Sequence, residues 1–141
     1  MPYDALLMFS DKQTFTATAI STNVLDFGLP SINPRTGAVI KTNHGGVDHP
    51  IVIKVGAAFT GLTSIQVNLQ TSADDTTYTT VMSTAAIPVA TLVAGYEFGF
   101  VTLPLQVPQR YMRLQYVVVG TGVLGDITAG FADGFQTNGV L

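Results

Sequence analysis

The stretch that decides the fold is Arg110-Tyr111-Met112-Arg113-Leu114-Gln115-Tyr116-Val117-Val118-Val119. Its side chains alternate at the two-residue period of a β-strand. One face carries the apolar set Met112, Leu114, Tyr116 and Val118, and the opposite face carries Tyr111, Arg113 and Gln115. β-Branched and aromatic residues suit such a pleated, half-buried surface. The stretch therefore predicts a strand with one face in a core.

A second alternating stretch, Ser64-Ile65-Gln66-Val67-Asn68-Leu69-Gln70-Thr71, is the predicted partner of the first. The two lie far apart in the sequence, so their pairing is non-local, which predicts an all-β protein. Shorter alternating segments with turn signals between them bring the count to about eight strands, typical of an antiparallel two-sheet sandwich or a barrel. With 141 residues we expect a single domain, 1–141.

The other predicted strands share short alternating or β-branched patterns and lie at 14–20, 24–27, 51–55, 78–83, 96–103 and 127–131. Glycines predict a connector at Gly56–Gly61 and a turn at Gly120–Gly122. Residues 1–12 are predicted to form an arm or a short helix. The segment Ala85–Ala94 contains Pro88, so an apolar loop or sheet edge is favoured there over a helix.

Composition excludes several classes of function. Charged residues make up 11% of the chain and its net charge is -3, so no basic surface is available for nucleic acid. The chain has no cysteine, which excludes disulfides and thiolate chemistry. No apolar run reaches the roughly 20 residues of a membrane-spanning helix, and the amino terminus lacks the basic region of a secretory signal. We expect the chain to fold in a cytoplasm without membrane contact.

One cluster has the residue types of a metal site, namely His44, Asp48 and His49 in the long irregular segment from Leu29 to Pro50. Imidazole and carboxylate ligands suit zinc or iron. The alternative is a pair of exposed loop histidines beside glycines, and it is favoured because the chain has no third histidine to complete the usual ligand set. We therefore predict no metal site.

A second candidate group, Asp74 and Asp75 beside Tyr78, lies between two predicted strands. Paired carboxylates can serve acid–base catalysis, bind calcium or hold a sugar next to an aromatic ring. Aspartate is also a favoured turn former, and neighbouring side chains there point apart, so a turn is the preferred interpretation. No nucleophile elbow or phosphate-binding glycine loop is present. We predict no catalytic or cofactor-binding residue, and no enzyme.

The run Asp4–Asp11, continuing through Thr16–Gly28, resembles the amino-terminal signature of the capsid cement (decoration) proteins of tailed bacteriophages. Val67–Asp75 and Arg110–Leu114 are similar to the middle and late strands of that jelly-roll family. The resemblance implies a jelly-roll-like antiparallel sandwich of two sheets, and a non-enzymatic virion protein that folds in the host cytoplasm. It also implies small oligomers that clamp neighbouring major capsid subunits on the outer surface of the shell. We favour a homodimer, with a trimer as the alternative.

Three segments are candidates for capsid contact because they carry apolar side chains: Ala85–Ala94, Arg35–His49 and Met1–Phe9. One competing hypothesis is a carbohydrate-binding jelly-roll module of a phage tail or fibre. Its stacking platform would be drawn from Asp74, Asp75, Tyr78 and Tyr111. The absence of tryptophan counts against that hypothesis. Another is a cupin-like metalloenzyme that uses His44 and His49.

Overall fold

The computed structural model of the chain describes residues 8–26, 31–32, 34–37, 39–40, 50–100 and 110–131. Its strands are β1 Met8–Gln13, β2 Ala19–Ile20, β3 Leu25–Asp26, β4 Ser31–Ile32, β5 Val39–Ile40, β6 Ile51–Ser72, β7 Thr79–Ser83, β8 Ile87–Pro88, β9 Glu97–Phe100 and β10 Tyr111–Phe131. Eight of them form one sheet, while β4 and β5 form a separate pair. Every pairing among the described strands is antiparallel. The all-β prediction is confirmed.

The long strands β6 and β10 pair from one end to the other, and all the remaining strands of the large sheet attach to them. The predicted partnership of 64–71 with 110–119 is confirmed, since Leu114 lies opposite Leu69. The predicted breaks at Gly56–Gly61 and Gly120–Gly122 are wrong, because both strands continue through them. Gly61 and Gly120 have φ values of 87° and 89°. They sit at shifts of register inside the ladder, where a positive φ serves a bulge and not a turn.

The paired long strands bend back on themselves. Ser10 lies opposite Ala129, yet its hydroxyl is 2.7 Å from the hydroxyl of Tyr116. An extended strand would place Ala129 and Tyr116 about 40 Å apart. The strand therefore bends where its register shifts, between Val119 and Ile127. The halves on either side of the bend face each other, with β2, β3, β7 and β8 flanking one half and β1 and β9 flanking the other.

Both halves supply side chains to one hydrophobic core, as their alternating patterns require. The core members from β6 and β10 are Ile51, Ile53, Val55, Phe59, Leu62, Ile65, Val67, Leu69, Met112, Leu114, Tyr116, Ile127 and Ala129. Phe15 lies over the ring of Tyr116 with 5.0 Å between ring centroids and reaches Phe59 at 5.5 Å. This aromatic row links the segment after β1 to both long strands.

The shorter predicted strands are only partly realised. Of 14–20 only β2 is a strand, and of the described residues 24–26 only β3 is, whereas β7 and β9 lie where alternation predicted them. Of residues 1–12, the described part from Met8 onward belongs to β1, and 1–7 lie outside the described residues. The segment 85–94 contains β8 followed by turns, as predicted. No helix in the described ranges has the length and apolar character needed to cross a membrane.

Replacing Gly99 by alanine is expected to destabilise the protein. Gly99 has a φ of 139°, and an added Cβ would overlap the carbonyl oxygen of Ile51 across the β6–β9 ladder. Because neither backbone can move without breaking the ladder, we expect a loss of about 2 kcal/mol or more in the free energy of unfolding, measured by denaturant titration. Gly95→Ala is the control, since its φ is 88° but nothing lies within 4 Å, and it should cost about 1 kcal/mol. Equal losses would contradict the argument.

The hydroxyl of Tyr116 offers a second test of the packing. Tyr116 is fully buried, and its hydroxyl donates to Ser10, whose own hydroxyl donates to Gln13 Oε1 at 2.7 Å. Burial raises the pKa of the Tyr116 phenol. Tyr116→Phe should cost about 1 kcal/mol of unfolding free energy, since Ser10 keeps Gln13 as a partner. Tyr111→Phe, whose hydroxyl has no hydrogen bond in the described ranges, should change it by less. Equal losses for both variants would count against this packing.

Candidate functional site

The bend of the two long strands forms an end of the molecule that is built, in the described part of the chain, from segments without ionisable side chains. Asp126 borders it, and its Oδ1 accepts from the amide of Ala57 at 3.2 Å. The segments that meet there are 14–18, 56–63, 87–95 and 117–125. We call them the uncharged end. Backbone hydrogen bonds join the segments, from Gly122 to Thr16, from Phe59 to Leu92 and from Val89 to Thr63. The end is thus a continuous surface assembled from four distant parts of the chain.

The uncharged end gathers most of the exposed large apolar side chains of the described residues. Four of the six lie there: Val93 at 52%, Val119 at 54%, Val123 at 70% and Leu124 at 66% exposure. A cleft of about 370 Å³ opens beside them, lined by Thr14, Phe15, Thr16, Val123, Leu124 and Gly125. Exposed apolar side chains concentrated in one place make the uncharged end a candidate contact surface.

The uncharged end rests on packed aromatic side chains. Phe59 is buried, and its ring lies so close to Gly125 that a Cβ added at Gly125 would overlap it. Phe15, which lines the cleft, packs on the other side of this contact against Phe59. A surface supported in this way loses little conformational freedom when a partner covers it, which favours binding.

The half of the sheet flanked by β2, β3, β7 and β8 ends, away from the bend, where Tyr111 lies opposite Ser72. A different group of side chains lies at that end. The guanidinium of Arg113 lies 3.7 Å from the ring centroid of Tyr78, and that of Arg110 lies 5.0 Å from the ring centroid of Tyr111. We call these four residues the arginine–tyrosine cluster. Arg110 also forms an ion pair with Asp26 at 2.6 Å, which raises the pKa of Arg110.

Asp74 serves the turn that precedes β7, as predicted. Its Oδ1 accepts hydrogen bonds from the amides of Thr77 and Thr76, both at 3.0 Å, and from the hydroxyl of Ser72 at 2.8 Å. These bonds hold the pKa of the Asp74 carboxyl below its ordinary value. Asp75 has a different partner: its Oδ1 accepts a hydrogen bond from the hydroxyl of Tyr78. The two carboxylates therefore do not form a pair for acid–base chemistry.

The structure brings Asp75 and Tyr78 together and adds Arg113, which sequence reasoning had not included in the platform. Burial raises the pKa of Tyr78, and the hydrogen bond and charge of Asp75 raise it further. Arg113 covers one face of the Tyr78 ring, while Arg110 lies over Tyr111. These ring faces are not open to a sugar. The signal for Arg113 was its place beside Tyr111 on the outer face of the strand, but its contact with Tyr78 depends on tertiary pairing.

The remaining candidates are distributed differently. His44, Asp48 and His49 lie outside the described residues, as do Met1–Leu7. Within the described ranges, no group of three histidine, aspartate or glutamate side chains could hold a metal ion. Of the three predicted contact segments, Ala85–Ala94 supplies part of the uncharged end.

One comparison with known proteins bears on identity. The family model Bbp16 matches residues 9–135, which include every described strand apart from the first residue of β1. The chain belongs to the Bbp16 family. Both the uncharged end and the arginine–tyrosine cluster lie inside the matched range. Bbp16 membership favours a phage structural protein and names neither a capsid position nor a partner. No curated protein matches the chain.

Neutralising Asp74 should make stability less dependent on pH. Because the folded pKa of Asp74 lies below its ordinary value of 3.8, its charge contributes stability above that pH, and the contribution is lost as pH falls through the folded pKa. Asp74→Asn should therefore lower the melting temperature near pH 7 and have a smaller effect near pH 2. Thermal unfolding of both proteins at the two pH values tests this. A deficit of equal size at both would show that the charge plays no part.

Proposed function

We propose that this Bbp16 protein is a capsid cement protein, a structural component of the virion that binds the outer surface of a tailed-phage shell. It would stabilise contacts between major capsid subunits. The single observation that carries the proposal is the concentration of exposed apolar side chains at the uncharged end. Family membership and the amino-terminal resemblance support its phage context.

The uncharged end suits adhesion to another protein. Complete burial of a valine or leucine side chain contributes about 1.5–3 kcal/mol, so covering Val123 and Leu124 supplies a useful share of a binding free energy. The four segments of the uncharged end contain no ionisable residue, so a partner that covers Val123 and Leu124 desolvates charge only where it also reaches the bordering Asp126. Most of the gain from burial is therefore retained.

Binding of this kind stabilises a shell by linkage. A protein that binds only the assembled shell stabilises it by about 2.7 kcal/mol per site when its free concentration is a hundredfold above Kd. We propose a homodimer, with a trimer as the alternative, because a dimer that bridges two subunits gains avidity from its second arm. Many such bridges would resist the internal pressure of packaged DNA.

The edge strands β1 and β7 have features that oppose the addition of a strand from another chain. Contact with a capsid subunit would therefore use side-chain surfaces. In β1 the exposed Asp11 and Lys12 lie where the register shifts, and in β7 Val81 is an extra residue between paired neighbours. Charges and bulges on edge strands oppose pairing with another chain. Copies of this protein would therefore not associate by pairing their edge strands.

The carbohydrate-binding alternative has less support than the cement role. Sugars stack on open aromatic faces, whereas Arg113 covers a face of Tyr78 and Arg110 lies over Tyr111. The chain also lacks tryptophan. We therefore do not propose it as a second function.

Co-sedimentation with purified cognate shells that lack the protein tests the cement role. The unmodified protein should pellet with the shells and raise their thermal and osmotic resistance. Val123→Asp should weaken binding at least about tenfold, since covering a charge costs more than 1.4 kcal/mol. Val81→Asp is the matched control, an exposed valine on β7 away from the uncharged end, and it should bind normally. An unmodified protein that stays in the supernatant would refute the role.

A further inference from the structure

A network of amide side chains on the outer face of the sheet fixes the position of Arg113. Its Nε donates to Gln70 Oε1 at 2.9 Å, and Gln70 is 8% exposed. The amide nitrogen of Gln70 in turn donates to Thr80 at 3.3 Å and to Gln115 at 3.2 Å. Asn68 donates to the same Gln115 oxygen at 3.1 Å. Gln70 thus fixes the Nε of Arg113, and a network that spans three strands fixes Gln70.

The plane of the Arg113 guanidinium is fixed as well. It stacks on the ring of Tyr78, whose hydroxyl is held by Asp75 at the end of the hairpin loop. Such stacking is characteristic of arginine and is not reproduced by lysine. With its Nε bound and its plane set, the side chain has already lost most of the freedom that binding would otherwise cost.

The two terminal nitrogens of Arg113 are left open. Within the described ranges, neither takes part in a hydrogen bond or an ion pair. Arg110 makes the contrast, because its Nε and a terminal nitrogen reach the two oxygens of Asp26 at 2.6 and 2.8 Å. Two arginines three residues apart thus differ: among the residues that the structure describes, Arg110 has a carboxylate partner and Arg113 has none.

We propose that Arg113 binds a carboxylate of the capsid subunit, an Asp or Glu side chain whose two oxygens accept from the two terminal nitrogens. This inference rests on the proposed cement role and names a partner group for it. Paired, parallel hydrogen bonds to a carboxylate are the interaction that a guanidinium makes best. A nucleic-acid phosphate is disfavoured as the partner, because the chain has only six basic residues and a net charge of -3.

The arginine–tyrosine cluster has the composition of an interface hot spot. Tyrosine and arginine are the residue types, with tryptophan, that carry most binding energy at protein interfaces. The cluster lies at the opposite end of its half of the sheet from the uncharged end. It therefore gives a cement protein a second contact, polar and directional, at a distance from the apolar one.

Carbodiimide cross-linking tests the inference directly. Arg113→Lys places a primary amine near the position of the guanidinium, and carbodiimide joins an amine to a neighbouring carboxylate as an amide. Shells carrying this variant should yield a cross-linked peptide that joins position 113 to an Asp or Glu of the capsid subunit, found by mass spectrometry. Arg110→Lys is the matched control, and it should cross-link within the chain to Asp26.

The outcomes separate this inference from the cement role. A shell-bound variant that cross-links only through Lys12 or Lys54, or whose position 113 joins a second copy of this chain, overturns the inference and leaves the cement role standing. Failure of the unmodified protein to bind shells removes both. Arg113→Gln gives an independent reading and should weaken shell binding about tenfold without changing the circular dichroism spectrum. Unchanged affinity of that folded variant would also overturn the inference.

Discussion

The continuous pairing of β6 with β10 is the constraint on which the rest of the structure depends. Every other strand of the large sheet attaches to one of these two, and the core is made largely of their inward side chains. A ladder of this length would leave one face of each half uncovered if it stayed straight. Glycine bulges let it bend without losing its pairing, so the two halves cover one another.

The bend also separates two kinds of surface. Where the ladder turns, glycine, alanine, threonine and valine predominate, and exposed apolar side chains collect there with Asp126 at their border. Where the first half ends, arginine and tyrosine side chains meet around the β7 hairpin. Under the proposed cement role, the first surface would contribute buried apolar area, and the second would contribute hydrogen bonds that fix the orientation of the partner. One molecule would then have two chemically distinct means of holding its neighbours.

Alternation predicted the central strands well because its two-residue period fixes which side chains share a face. It predicted that Leu69 and Leu114 lie in one core and on neighbouring, paired strands, as observed. Glycine was misinterpreted because turns and bulges both use a positive φ, and only pairing across the ladder tells them apart. For that reason the breaks at Gly56–Gly61 and Gly120–Gly122 were predicted where the strands continue.

The candidate surfaces were harder to predict than the fold. Ala85–Ala94 supplies apolar side chains to the uncharged end, but that end also needs segments that meet only after folding. The same holds for Arg113 and Tyr78, which lie on strands separated by much of the chain. The Asp74 turn, by contrast, depends on neighbours within three residues, and the local sequence was sufficient to predict it.

The distance in sequence between β6 and β10 has a consequence for biosynthesis. The ladder cannot close until the ribosome has released the chain through Phe131, because Ile51 pairs with that residue. Until then β6, rich in valine and isoleucine, has no partner for one of its edges. Folds dominated by such distant pairings form over milliseconds to seconds, more slowly than local ones. The protein therefore completes its fold only after Phe131 has left the ribosome, so the rate of folding as well as the rate of synthesis sets how fast native protein appears.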